Sequence, residues 1–209
     1  LRRRVVGRAG LGGAGAGGGE LDRQVLDQGR GGGMRVVGPN CLGVMRPHVG
    51  LNATFAAGMA MPGNVAFLSP SGALCTAVLD WSLERRIGFS AFVSTGSMLD
   101  VGWGDLIDYF GDDPNSDGLL TILTPQAMSD ATGTAEQLVA AAGSGDKPLL
   151  ASWMGAAQVA GGAAILERAG IPTFTYPDEA ARAFTATWLS ADGLRALSET
   201  PMLAPDERI

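Results

Sequence analysis

Apolar residues in this chain fall into short continuous runs, separated by windows in which they recur every three or four positions. Val65 to Leu68, Phe89 to Ser94, Leu119 to Leu123, Pro148 to Trp153 and Ile171 to Thr175 are such runs. They lack the apolar–polar alternation of a half-exposed strand and have the length of strands buried on both faces. Between the first two, Ala73, Leu74, Ala77, Val78 and Trp81 follow a helical period up to Glu84-Arg85-Arg86. Further helices are predicted over Trp103 to Phe110, Thr134 to Ala142, Val159 to Ala169 and Pro177 to Leu189. The resulting βαβαβ series requires parallel strands joined by right-handed crossovers. Ahead of it, Leu21, Val25 and Leu26 mark an amphipathic helix from Glu20 to Arg30, and Met34 to Val37 reads as a short strand. Asn52 to Pro62 reads as a connector between domains.

The turns after the strands carry the candidate chemistry. Val65 to Leu68 runs into Ser69-Pro70-Ser71-Gly72-Ala73, with Ser71 in position to cap the next helix. Such a turn aims free backbone N–H groups and the positive end of a helix dipole beyond the strand, which makes it an anion seat. It is equally the grammar of an ordinary strand-to-helix connection that binds nothing, and this segment leaves both readings open. Gly38-Pro39-Asn40-Cys41-Leu42-Gly43 is a second turn of this kind, narrow because Pro39 fixes φ and rigid enough for a slender ligand. Thr124-Pro125-Gln126-Ala127-Met128 repeats the pattern of the first turn, so the two are expected to face one another. Asp100, Asp105 and Asp108 lie within nine residues and read either as helix caps or as an Mg²⁺ site. His48, the one histidine, lies in a Pro/Gly loop where a hydrogen-bonded surface role is the common one.

Composition narrows the classes. A formal net charge of -6 argues against nucleic acid and anionic membranes as partners, and no apolar run approaches the length that spans a bilayer. Two cysteines, Cys41 and Cys75, are too few for a disulfide scaffold, and reduced thiols in the cytoplasm are the expectation. The glycine-crowded stretch from Gly7 to Gly19 has no strand before it, so it reads as low complexity rather than as a dinucleotide loop. Leu1-Arg2-Arg3-Arg4 reads as the edge of a fragment.

Nine motifs in order, GMRVVGPNCLGV, LNATF, SPSGALCTAVLDWS, GFSAFVSTGSMLDV, GDLIDYFGDDP, DGLLTILTPQAM, KPLLASWMG, AGIPTFTYPDEAARAF and SETP, give the chain a resemblance from Glu20 to Pro201. It resembles the ADP-forming acyl-CoA (acetyl-CoA) synthetases of the succinyl-CoA synthetase-like superfamily, in particular the bacterial branch joined to a protein acetyltransferase. The resemblance implies an α/β fold: a Rossmann-like CoA-binding remnant with its connector over 1–62, then flavodoxin-like parallel-sheet ligase domains over 63–116 and 117–201, and a tail over 202–209. It implies that Gly38, Pro39, Asn40 and Cys41 run beside the thiol end of coenzyme A. It implies that Ser69, Ser71, Gly72 and Ala73 form the helix end that receives the phosphoryl group of a phosphohistidine.

Two departures from that family shape the expected function. Pro70 stands where the family has glutamine, which removes an N–H from the seat. Asp113-Pro114-Asn115-Ser116 runs directly into Asp117-Gly118-Leu119-Leu120, so the segment that carries the phosphohistidine has no counterpart, and His48 does not substitute for it. Coenzyme A or acyl-CoA is then the expected ligand, and ATP, ADP and Mg²⁺ enter only through an ATP-grasp module supplied elsewhere. The expected partners are an ATP-grasp subunit or domain, within an oligomer like that of the parent family. The chain reads as a ligase relative inactive by itself, or alternatively as a non-catalytic CoA-binding or regulatory subunit.

Overall fold

In the computed structural model, which describes residues 18–125, 130–143 and 147–198, the strand-and-helix series forms one seven-stranded sheet. Helix α1 (Gly18–Gly31) leads into strands β1 (Gly43–Arg46) and β2 (Leu51–Thr54), an antiparallel hairpin turned by a short 3-10 segment at Pro47–Val49. Then come β3 (Met61–Ser69), α2 (Gly72–Arg85), β4 (Gly88–Ser94), α3 (Trp103–Gly111), β5 (Gly118–Leu123), α4 (Ala131–Ala142), β6 (Leu149–Trp153), α5 (Ala160–Arg168), β7 (Thr173–Phe174) and α6 (Pro177–Ser198). The spatial order is β2-β1-β4-β3-β5-β6-β7. From β4 to β7 all neighbours are parallel. Within that set the second strand lies outside the first, and the third returns to the first strand's other side, which is the flavodoxin-like order. No helix among the described residues is long and apolar enough to cross a membrane.

Burial on both faces explains the unbroken apolar runs. Val65 and Phe67 of β3 point to one side, into a core with Val78 and Leu79 of α2 and Phe184 of α6. Ala66 and Leu68 point to the other, against Trp103 and Ile107 of α3, Leu138 of α4 and Leu166 of α5. At the centre of the first core, Phe67 stacks on Phe92 with ring centroids 4.3 Å apart, and Phe89 meets both rings edge-on.

One expectation fails in the first sixty residues. Met34 to Val37 is not a strand, because its backbone is held by the segment before α3 instead of by a neighbouring strand. Val36 N–H donates to the Asp100 carboxylate at 2.9 Å, and Val36 C=O accepts from Val101 N–H at 3.2 Å. The stretch from Asn52 to Pro62 holds the rest of β2, a turn over 55–60 and the opening of β3; β1 pairs antiparallel with β4 and carries β2 as the sheet edge. The low-complexity stretch up to Gly17, the turn residues Gln126 to Met128 and the tail from residue 199 lie outside the described residues.

Truncating the most packed ring tests this core. Phe67→Ala is expected to cost about 3–5 kcal/mol, seen as a lower urea midpoint with unchanged slope in circular dichroism.

Candidate functional site

The strand-to-helix turn at Ser69 forms as its residues dictate. β3 ends at Ser69, and Ser71, in extended conformation, caps α2 by accepting from Leu74 N–H at 3.3 Å. Ser71 N–H is itself taken by the Ser69 hydroxyl at 3.2 Å. The N–H groups of Gly72 and Ala73 therefore remain as the open donors of the helix end, with no partner among the described residues. Ser69 is fully buried and Ser71 is 8% exposed, whereas Gly72 is half-exposed and Ala73 exposed. The free donors thus face outward from a turn whose own hydroxyls are spent inside it. Pro70, with no N–H, is buried between them.

The Gly38–Cys41 loop reaches the same end of the sheet. Pro39 C=O accepts from Ser97 N–H and Gly38 C=O from Leu99 N–H, both at 2.9 Å. Leu42 N–H donates to the Ser94 hydroxyl at 3.0 Å. A side chain at Gly96, whose φ is +57°, would strike the Pro39 carbonyl oxygen, so glycine is required where the chain leaving β4 passes beneath the loop. Thr95 N–H closes the circuit by donating to Ser69 C=O at 2.8 Å. Leu42 also lies over Gly72, at ordinary van der Waals distance from where a Cβ would be. Sequence positions 38–42 and 69–73 are thus brought together through the carboxyl end of β4.

Buried polar atoms concentrate here. The Cys75 thiol, in the first turn of α2, is pushed up to about 12 by burial, against hydrogen bonds with Ser94 and Ser69. Cys41 is half-buried, its thiol 3.7 Å from Val37 C=O, and burial raises it as well. Both sulfurs stay protonated near neutrality, so neither is an activated nucleophile. The Thr95 hydroxyl is buried with no partner, an orphan donor next to the turn. An oxyanion fits the two free N–H donors at the helix amino end.

His48 lies elsewhere. Its Nε2 is 2.7 Å from Gly63 C=O, near the start of β3. Ser69 ends that strand, roughly 20 Å away at the usual rise per residue. The imidazole and the Ser71 turn occupy opposite ends of the sheet.

Asp100 and Asp105, read from sequence as caps or metal ligands, are held by arginines. Asp100 pairs with Arg30 at 3.1 Å and with Arg35 at 2.9 Å, and Asp105 pairs with Arg35 at 3.0 Å while accepting from Gly102 N–H. Burial alone would raise the Asp100 carboxyl, but the Val36 N–H, Arg35 and Arg30 outweigh it and hold it below its ordinary 3.8. Among the described residues, no group of three His, Cys, Asp or Glu side chains gathers to hold a metal ion. Sequence reading missed Asp100 as an anchor of the loop, because its arginines lie 65 and 70 positions away and no local spacing signals them.

Residues 62–185 match the family model described as the succinyl-CoA ligase like flavodoxin domain. A stretch of 108 residues, 52% of this chain, is 42% identical to the alpha subunit of an ADP-forming acetate–CoA ligase II from Pyrococcus furiosus, of which it covers 23%. A crystal structure of a protein from Pyrococcus horikoshii OT3 is similar over 82% of this chain and 38% of that one, with 31% identity and a TM-score of 0.69. A dinucleotide-forming acetyl-coenzyme A synthetase from Ca. Korarchaeum cryptofilum, solved with phosphate and ADP, is similar over 79% of this chain and 39% of its own, at 29% identity and a TM-score of 0.63. The chain therefore spans less than a quarter of the length of that curated relative, and about two-fifths of the solved chains.

The cap and the carboxylate each generate an expectation. Ser71→Ala is expected to cost about 1 kcal/mol, measured as a shift of the urea midpoint. Asp100 has a depressed value in the folded state, so its stabilisation is complete above the ordinary 3.8 and is lost as pH falls through the lower folded value. Melting temperature followed from pH 7 down to 2.5 is expected to drop below about pH 4, and less steeply in Asp100→Asn.

Proposed function

Because this chain belongs to the family of succinyl-CoA ligase-like flavodoxin domains, we propose that it is the coenzyme A and phosphoryl-receiving portion of an ADP-forming acid–CoA ligase. The reaction of the whole ligase is acyl-CoA with ADP and phosphate giving acid, CoA and ATP. Gly38, Pro39, Asn40 and Cys41 run beside the CoA thiol end, and Ser69, Ser71, Gly72 and Ala73 form the oxyanion seat. The boundaries near residues 62 and 116 divide a CoA-domain remnant from two partial ligase units that share one sheet. ADP and Mg²⁺ belong to an ATP-grasp partner, whether subunit or domain. The whole protein is of the bacterial branch joined to an acetyltransferase, acts in the cytoplasm and assembles as an oligomer.

The observation that carries this reading is the meeting of the two turns through Ser94, Thr95 and Ser97. Leu42 N–H bonds to the Ser94 hydroxyl, and Thr95 N–H to Ser69 C=O. A pantetheine thiol laid along the first loop would end beside the open N–H groups of Gly72 and Ala73, where an acyl phosphate and a thiol have to meet.

By itself the chain is proposed to bind without turning over. Phosphoryl relay needs an imidazole at the seat, and the one histidine is bonded to Gly63 C=O at the far end of β3. That observation also favours a second reading, a regulatory subunit that binds CoA and pairs with an intact ligase.

Calorimetry of the folded chain is expected to show heat on CoA addition that diminishes when phosphate is present. A coupled assay with acetyl-CoA, ADP and phosphate is expected to show no ATP formed. Absence of heat at millimolar CoA would sink the reading, and ATP formation would sink the claim of inactivity.

A further inference from the structure

The loop that carries Gly38 to Cys41 has no strand beside it, so something else has to fix its shape. Its backbone runs edge to edge with the segment before α3, through four hydrogen bonds from Val36, Gly38 and Pro39. Three of these are backbone to backbone: Val101 N–H to Val36 C=O, Leu99 N–H to Gly38 C=O and Ser97 N–H to Pro39 C=O. The fourth is Val36 N–H to Asp100 Oδ2, the one made to a charged group.

Asp100 is the point where this strap is fastened. Its side chain is 2% exposed, and it takes Arg30 on Oδ1, Arg35 on Oδ2, and the Val36 N–H on Oδ2. Arg35 Nη2 further donates to Asp100 C=O at 3.3 Å and to Asp105 at 3.0 Å. Arg30 and Arg35 bracket the loop from its amino side, on α1 and just beyond it, so one carboxylate ties both to β4's outgoing segment. Core packing reaches the loop only at its flanks, with Val37 against one core and Leu42 against the other, and α1 contributes no residue to either.

We propose that Asp100 is the positioning residue for the Gly38–Cys41 loop: it holds the loop at the carboxyl end of β4 and sets how the pantetheine end of CoA is received. The proposal rests on the CoA reading above and assigns that site a residue that touches no ligand. The loop's own thiol reports on it. Cys41 lies in the loop and is half-exposed, whereas Cys75, in the first turn of α2, has no exposure and becomes accessible only when the fold opens.

The test compares wild type, Asp100→Asn and Arg35→Gln by iodoacetamide alkylation, with each thiol followed by peptide mass spectrometry, and by calorimetry with CoA. Asp100→Asn keeps an oxygen for the Val36 N–H but loses the charge, and Arg35→Gln removes one fastener from an exposed position where the fold is safe. The expected result is a Cys41 rate raised about tenfold, the size of one lost charge-assisted hydrogen bond. Cys75 is expected to stay at its wild-type rate, and CoA affinity to fall by a similar factor in both variants. Unchanged Cys41 rates, or equal rises at both thiols, would overturn the positioning role. Selective exposure of Cys41 without loss of CoA affinity would likewise overturn the claim that the loop's position governs binding. A wild-type chain that gives no heat with CoA would instead overturn the reading beneath it, and the alkylation pattern distinguishes the two failures.

Discussion

Parallel pairing of β3 on both edges is the constraint from which the rest follows. Ala66, Phe67 and Leu68 are bonded in register to Ala91, Phe92 and Val93 of β4 on one side and to Leu119, Leu120 and Thr121 of β5 on the other. A strand so placed has no edge for water, so both its faces have to be apolar and both have to be covered by helices. Phe67 is held between sheet and helix on one side, Leu68 on the other. The backbone groups past Ser69 then emerge where the chain turns away from its neighbours. In an open parallel sheet that point, where the strand order reverses between β3 and β5, is where the architecture leaves a crevice.

What occupies the rim of that crevice depends on a second, weaker device. The Gly38–Cys41 loop is not part of the sheet and takes its shape from residues far along the chain. Ser97 and Leu99 satisfy its carbonyls, Ser94 satisfies Leu42 N–H, and Asp100 gathers two arginines behind it. The packed sheet is rigid in the ordinary sense of close-packed interiors, whereas the loop is held by hydrogen bonds and ion pairs near the surface. Deep core and surface loop therefore respond differently to pH and salt. Asp100 and Asp105 titrate below the usual carboxylate range, and the pairs of Arg30 and Arg35 are open to screening.

Within the ligase family the division of labour is chemical. The turn at α2 offers backbone donors: the two thiols beside it are protonated, and the Ser69 and Ser71 hydroxyls accept from backbone N–H groups. A histidine tied to Gly63 C=O contributes to the amino end of the sheet, next to the β1–β2 hairpin, and has no path to the seat in this fold. The relatives that supply the comparison are several times longer than the matched stretch.

Most of the α/β series was legible in the residues, because burial on both faces writes itself as uninterrupted apolar runs and capping writes itself as serine before a helix. Val65 to Leu68, Phe89 to Ser94 and Ser71 as N-cap are such cases. Met34 to Val37 misled for the same reason: two valines at a strand's usual spacing look alike whether a strand or an aspartate satisfies their backbone. The 52–62 stretch hid β2, whose half-exposed residues carry little apolar signal. The sequence by itself determined the parallel core and the capped turn. Only the tertiary structure decided that residues 38–42 and 69–73 meet, that His48 stands at the other end, and that Asp100 fastens the loop. Those are contacts between positions tens of residues apart, and local spacing carries no record of them, because they are fixed by which strands lie side by side.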